Sequence, residues 1–272
     1  MTAIETPTVR RSTTLTGALH VIELNLMRFR RLWRTAFLTS FLQPLMYLAG
    51  MGVGVGTLVH RNGGDSRVLG GVGYASFIAP GLLVTTAMFV AANEATWPIL
   101  GGFKWQRTFI AQATTPIAMP SILLGLLGWF TLRMGLAATA VALAMCGFHA
   151  TRSIGLPVAV LAAVLTGLAL AAPTMAYSAS KENDGGFVGY HRFLIMPMFL
   201  FGGAFYPVTS LPVLLRPIAR LTPLWHGVEL ARAATLHHWR WGPAVGHTGY
   251  LVVWIAVGVR LAMVAFARKL EQ

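Results

Sequence analysis

GLPVAVLAAVLTGLALAAPTMAYSA, residues 155–179, runs for 25 residues without a charged side chain. A helix rises 1.5 Å per residue, so the stretch reaches about 37 Å, more than the roughly 30 Å of a bilayer's hydrocarbon core. Working outward from it, five more runs of membrane length stand at 36–59, 72–95, 118–148, 187–205 and 244–264. Hydrophobic residues make up 56% of the 272 and charged residues 11%, against roughly 25% charged in a soluble domain. The pattern predicts an all-α polytopic membrane protein with six transmembrane helices. It divides into a cytosolic tail and interface helix (1–35), one transmembrane domain (36–267) and a short cytosolic tail (268–272).

The formal charge of +13 does not point to nucleic acid, because the arginines flank the apolar runs instead of forming a basic domain. Thirteen Arg and Lys fall on one side of the predicted topology: six before residue 36, two in 97–117, two in 180–192 and three from Arg260 onward. Seven fall on the other, and Arg133 makes the total of 21. The excess places both termini in the cytosol. Arg prevails over Lys, and Ala and Gly are abundant, which suggests a GC-rich source. The single Cys146 excludes an internal disulfide and a cysteine metal cluster. The polar, Arg-rich first 35 residues do not read as a secretory signal.

Leu19, Ile22, Leu26, Phe29 and Trp33 recur at spacings of three and four, with Arg28, Arg30, Arg31 and Arg34 between them. This predicts an N-terminal amphipathic helix lying on the inner membrane face. Gly50, Gly52, Gly54 and Gly56 form two pairs four residues apart, and each pair marks a helix-packing face. They are no phosphate loop, since G-x-x-x-x-G-K-[ST] is absent. Arg133 falls within the third run. It either lines a path or subunit contact, or snorkels, or lies at a depth other than mid-membrane.

Residues 206–243 are too apolar for an ordinary loop and too broken for a span. Ser210 can cap a short helix carrying Pro212, and Thr222 a second one starting at Pro223. Two short outer-leaflet helices are expected at 211–220 and 223–236. Glu229 and Arg232 can pair on one face. His226, Glu229, His237 and His238 are too scattered for a metal site, so none is expected. No catalytic set is found, and the chain reads as a transport subunit instead of an enzyme.

FLFGGAFYPVTSLP (199–212) followed by IARLTPLWHGVELAR (218–232) resembles the signature of ABC-2 type transporter membrane subunits; PLMYLAGMGVGVG (44–56) is similar to the same family. The likeness is greatest to the branch that holds nodulation protein J, an exporter of lipo-chitin oligosaccharides, and the daunorubicin-resistance permeases. The resemblance implies a bacterial plasma-membrane permease, with a second copy or a paralogue beside it. It implies two copies of an ATP-binding subunit, which would carry ATP and Mg; this chain would bind no cofactor. It also gives Pro207, Pro212, Pro223, His226, Glu229 and Arg232 as the outer-helix signature.

By position, the segment that docks into the ATPase in this family corresponds to Glu94 and 101–115, including Lys104, Trp105, Gln106 and Arg107. WPILGG (97–102) replaces several of the family's polar positions. Phe199, Phe205 and Tyr206 are candidate path or interface residues beside Arg133. The expected function is export of an amphipathic cargo: a lipid-linked glycan, glycolipid or hydrophobic drug. An ion-coupled secondary transporter would place acids inside the spans, where Glu94 at a span end is the nearest. A membrane-embedded lipid enzyme would cluster His, Asp or Glu at one face.

Overall fold

The computed structural model describes residues 14–47, 49–50, 54, 57–58, 69 and 71–271, with 32–45 as backbone. Among them every regular element is helical. Gly52, Gly56 and most of the expected loop 60–71 lie outside the described residues. The elements are α1 (Thr14–Tyr47), α2 (Tyr74–Glu94), α3 (Trp97–Phe103), α4 (Thr108–Ala113), α5 (Met119–Gly147) and α6 (Leu156–Ala179). They continue with α7 (Gly185–Tyr190), a π-helical turn (His191–Ile195), α8 (Met196–Phe201), α9 (Leu215–Arg220), α10 (Pro223–Thr235) and α11 (Trp241–Leu270).

Among the described residues, four stretches are long and apolar enough to cross a membrane: Tyr74–Phe103, Met119–Gly147, Leu156–Ala179 and Trp241–Leu270. α6 packs against α2, α5, α10 and α11 and forms the centre of the bundle. One end of the bundle holds α3, α4, the 180–184 turn and the last turn of α11. The opposite end holds residues 149–155 and the start of α11.

Several features differ from the sequence expectations. α1 runs on without a break at residue 35, so the amphipathic stretch and the start of the first apolar run are one helix. Ala18 and Val21 of α1 are buried against Gly125 of α5, so this helix packs on protein as well as facing outward. The expected run 187–205 forms helix only over 185–201, about 26 Å at 1.5 Å per residue. Gly203 ends it with φ +82°, a conformation glycine adopts without a Cβ penalty. A π turn, His191–Ile195, stands just before Pro197. Pro197 lacks the N–H that the α ladder would use, and a π turn absorbs that loss.

Ser210 does not cap a helix. It belongs to a 3-10 turn, Val208–Ser210, and α9 starts only at Leu215. Thr222 does cap α10: its Oγ1 accepts from the Trp225 N–H at 3.4 Å, with Pro223 in the first turn. α10 lies obliquely inside the bundle. At its end, Ser153 Oγ donates to the Thr235 carbonyl at 2.8 Å, beside the start of α6. Near its beginning, a Cβ on Gly227 would stand 1.8 Å from Thr166 Oγ1, ten residues and about 15 Å further along α6. α10 is therefore re-entrant and fills the volume that α8 leaves by stopping short.

Candidate functional site

Lys104, Trp105, Gln106 and Arg107 form the exposed tip between α3 and α4. The base of that tip is rigid. Phe103, Phe109 and Phe266 are each buried and pack edge to face or tilted at 4.9, 4.9 and 5.5 Å between centroids. Gly102 lets Phe109 close in, since a Cβ there would lie 2.3 Å from its ring. Arg107 holds φ +51°, a left-handed conformation that costs a non-glycine residue free energy and fixes the direction of α4. Lys104 Nζ donates to the Glu182 carbonyl at 2.8 Å. The Glu182 carboxylate pairs with Lys269 of α11, and that ammonium holds its pKa below the ordinary carboxylate value.

Beside the tip lies a cleft of 470 Å³ between α1 and α3–α5. Trp97, Trp105, Gln106, Gln112, Asn25 and Arg28 are among its lining residues. At its floor Arg133 Nε donates to Glu94 Oε1 at 2.9 Å, and Trp129 Nε1 donates to Glu94 Oε2 at 3.2 Å. The Arg133 guanidinium lies 4.5 Å over the Phe29 ring. One carboxylate thus ties α2 to α5, and Phe29 adds α1. Glu94 is the last residue of α2, so Arg133 stands level with a helix end. The cation of the third run is therefore not bare: its partner is 39 residues away in sequence.

Glu94, Trp105 and Gln106 share this cleft; Lys104 and Arg107 point elsewhere on the same tip. Trp129, Glu182 and the phenylalanine triad were not singled out by the sequence, and Phe29 was read only as part of the apolar face of the N-terminal helix. The GG of 101–102 beside Phe103 was the available signal, since paired glycines next to an aromatic mark a close approach.

At the opposite end, Arg232 is 9% exposed. Its Nη2 donates to the Gly203 carbonyl at 2.9 Å, its Nε to the Phe77 carbonyl at 3.4 Å, and its Nη1 pairs with Glu229 at 3.3 Å. Its guanidinium stands 3.7 Å over the Phe77 ring. The expected Glu229–Arg232 pair exists, but backbone carbonyls take most of the guanidinium. His226 Nδ1 lies 2.8 Å from His247 Nδ1, and His226 Nε2 lies 3.0 Å from the Arg220 carbonyl. The carbonyl can only accept, so Nε2 carries the proton and Nδ1 accepts from His247. Tyr250 stacks on His226 at 3.8 Å and hydrogen-bonds the Leu221 carbonyl. No group of three or more metal-ligating side chains occurs among the described residues.

Phe199 and Phe205 are buried at 4.9 Å from one another, with Tyr47 and Phe89 against Phe199. They join α1, α2 and α8. Tyr206 is half-buried and packs on the small cluster of Val208, Leu211 and Ala219. Pro207 precedes the 3-10 turn, and the Pro212 carbonyl accepts from the Leu215 N–H. Among the described residues, a Cβ at Gly50 or Gly54 would meet nothing within 4 Å; close approaches are made at other glycines, Gly81, Gly125, Gly155, Gly227 and Gly258 among them.

The family model described as ABC-2 type transporter matches residues 21–236. Nodulation protein J of Rhizobium leguminosarum bv. trifolii is 32% identical over 245 residues, 88% of this chain and 89% of that protein. Nodulation protein J of Rhizobium leguminosarum bv. viciae is 30% identical over 246 residues, 88% and 90% of the two chains. The inner membrane transport permease YadH of Escherichia coli (strain K12) is 28% identical over 203 residues, 72% and 74%. The chain belongs to the ABC-2 type transporter family and is the membrane subunit of an ABC exporter.

Proposed function

We propose that this permease exports an amphipathic cargo, a lipid-linked glycan, glycolipid or hydrophobic drug, driven by ATP hydrolysed on a separate subunit. The reading has six crossings, the first over 36–59 and the fifth over 187–205. Both termini and the 104–107 tip then face the cytosol, in line with the Arg/Lys excess. A second copy, or a paralogue, packs against the face bearing Gly50 and Gly54, which meets no neighbour among the described residues of this chain.

The observation that carries the energy-coupling part is the tip itself. Four exposed residues stand on a buried aromatic base, so a partner pressing on them moves helices and not merely a loop. A partner that changes shape with ATP can drive the bundle only by contacting its two states unequally. In support of an amphipathic cargo stands the apolar character of the bundle; Glu94, the acid within the Tyr74–Phe103 stretch, is held by Arg133 and Trp129 and stands alone, which does not suggest an ion relay.

Replacing Lys104, Trp105, Gln106 and Arg107 together by alanine tests the reading. Hydrolysis by the partner is expected to continue while cargo export falls by tenfold or more, with membrane insertion unchanged; about 1.4 kcal/mol of coupling corresponds to that tenfold. Export at the unmodified rate would refute the docking assignment.

A further inference from the structure

We propose that α11 is a rocker that carries movement of the 104–107 tip to the re-entrant segment, pivoting where it crosses α6. The inference rests on the reading that an ATP-binding partner presses on that tip. Its first support is continuity. α2, α6 and α11 each touch both the tip region and α10. α2 carries Pro80 and α6 carries Pro173 inside the helix, and an internal proline opens the hydrogen-bond ladder and makes a helix bend. α11 has 30 residues with no such interruption, about 45 Å of unbroken helix.

Its second support is attachment at three points. At one end Phe266 is locked between Phe103 and Phe109, and Lys269 holds Glu182, whose carbonyl takes the Lys104 ammonium. The tip is therefore fastened to the last two turns of α11 by an apolar contact and a charged one. In the middle, Gly258 lies directly on Pro173, where a Cβ would stand 2.5 Å from its Cδ. α11 packs along α6 over much of its length, and this backbone contact opposes sliding and serves as the point about which α11 tilts. At the far end His247 and Tyr250 grip His226 and Leu221, on either side of the Thr222 cap. Displacing the Phe266 end one way swings the His247 end the other way and draws on the start of α10. Movements of one or two ångströms between packed helices are the usual scale of such transitions.

The experiment uses the full chain assembled with its ATP-hydrolysing partner in liposomes. Cys146→Ser removes the native thiol, and spin labels are placed at Leu214→Cys and Val245→Cys, both exposed. The distance between them is measured with and without a non-hydrolysable ATP analogue. The expected result is a shift of about 2 Å on adding the analogue. Phe266→Ala and Glu182→Lys are each expected to at least halve that shift while hydrolysis persists, and Glu182→Lys with Lys269→Glu is expected to restore it. Restoration by the exchanged pair separates a positioning role from mere loss of fold. An unchanged shift in the variants, or none in the parent complex while it hydrolyses ATP, overturns the rocker and leaves the ATP-driven reading standing. Failure of any ATP-binding chain to assemble overturns both.

Discussion

Arg232→Ala is the sharpest test of how the re-entrant helix is held. The guanidinium makes one short charged hydrogen bond, 2.9 Å to the Gly203 carbonyl, worth about 1.5–3 kcal/mol. Its place over Phe77 at 3.7 Å adds up to about 2 kcal/mol when desolvated. The contacts at 3.4 Å are long and count for little. Relief of the guanidinium's own desolvation opposes these terms, which leaves about 3 kcal/mol, the low end for breaking a buried charged pair. In a chain of this size that corresponds to a fall in Tm of about 6–12 °C. Glu229 is 39% exposed, so Glu229→Gln should cost no more than about 1 kcal/mol and less than about 4 °C. The assay is thermal unfolding in detergent at a fixed scan rate, followed by aggregation-coupled size exclusion. Equal shifts for the two variants would refute the argument, since they would make the ion pair, and not the backbone carbonyls, the main restraint.

Other outcomes follow from the same contacts. Gly227→Ala drives a methyl into Thr166 Oγ1 and should destabilise by about 1–3 kcal/mol; Thr166→Ala in the same chain should recover part of the loss on the same thermal scale. Exchanging the charges of the cleft floor, Glu94→Arg with Arg133→Glu, should retain more stability than either single change, and a double variant worse than both would disprove the latch. The Glu182 carboxyl lies below its ordinary value because of Lys269, so the clasp is complete above that value and lost as pH falls through the lowered one. Hydrogen exchange of the last turn of α11 should stay slow on descent to the ordinary carboxylate range and quicken below it. Exchange that quickens well above that range would contradict the assignment.

Much of the helix pattern could be read from hydrophobicity. The runs at 72–95, 118–148 and 155–179 enclose α2, α5 and α6 within two residues at each end, because a long, almost uncharged stretch leaves helix as the only satisfied backbone in lipid. The Thr222 cap was equally legible, being a local hydrogen bond. Contacts between distant elements were not. Arg133 gave its cost but not its partner, since Glu94 lies on another helix. Phe103, Phe109 and Phe266 follow no period, and only folding brings α11 back to α3. Ser210 failed as a cap for a reason outside its own turn: Pro207 and Pro212 favour a 3-10 turn and an extended link before α9. The early end of α8 was hidden because 202–205 remain apolar, and burial beneath α10 satisfies them as well as lipid would.

Entry of force through the 104–107 tip is the proposition on which the transport mechanism turns. A photo-crosslinking residue in place of Trp105, and separately in place of Trp241 at the opposite end, tests it most directly in membranes holding the assembled transporter. The expected product from position 105 is a conjugate with a polypeptide bearing the G-x-x-x-x-G-K-[ST] fingerprint, and position 241 should give none. A conjugate with that polypeptide from 241, or none from 105 in a complex that hydrolyses ATP, would contradict that route.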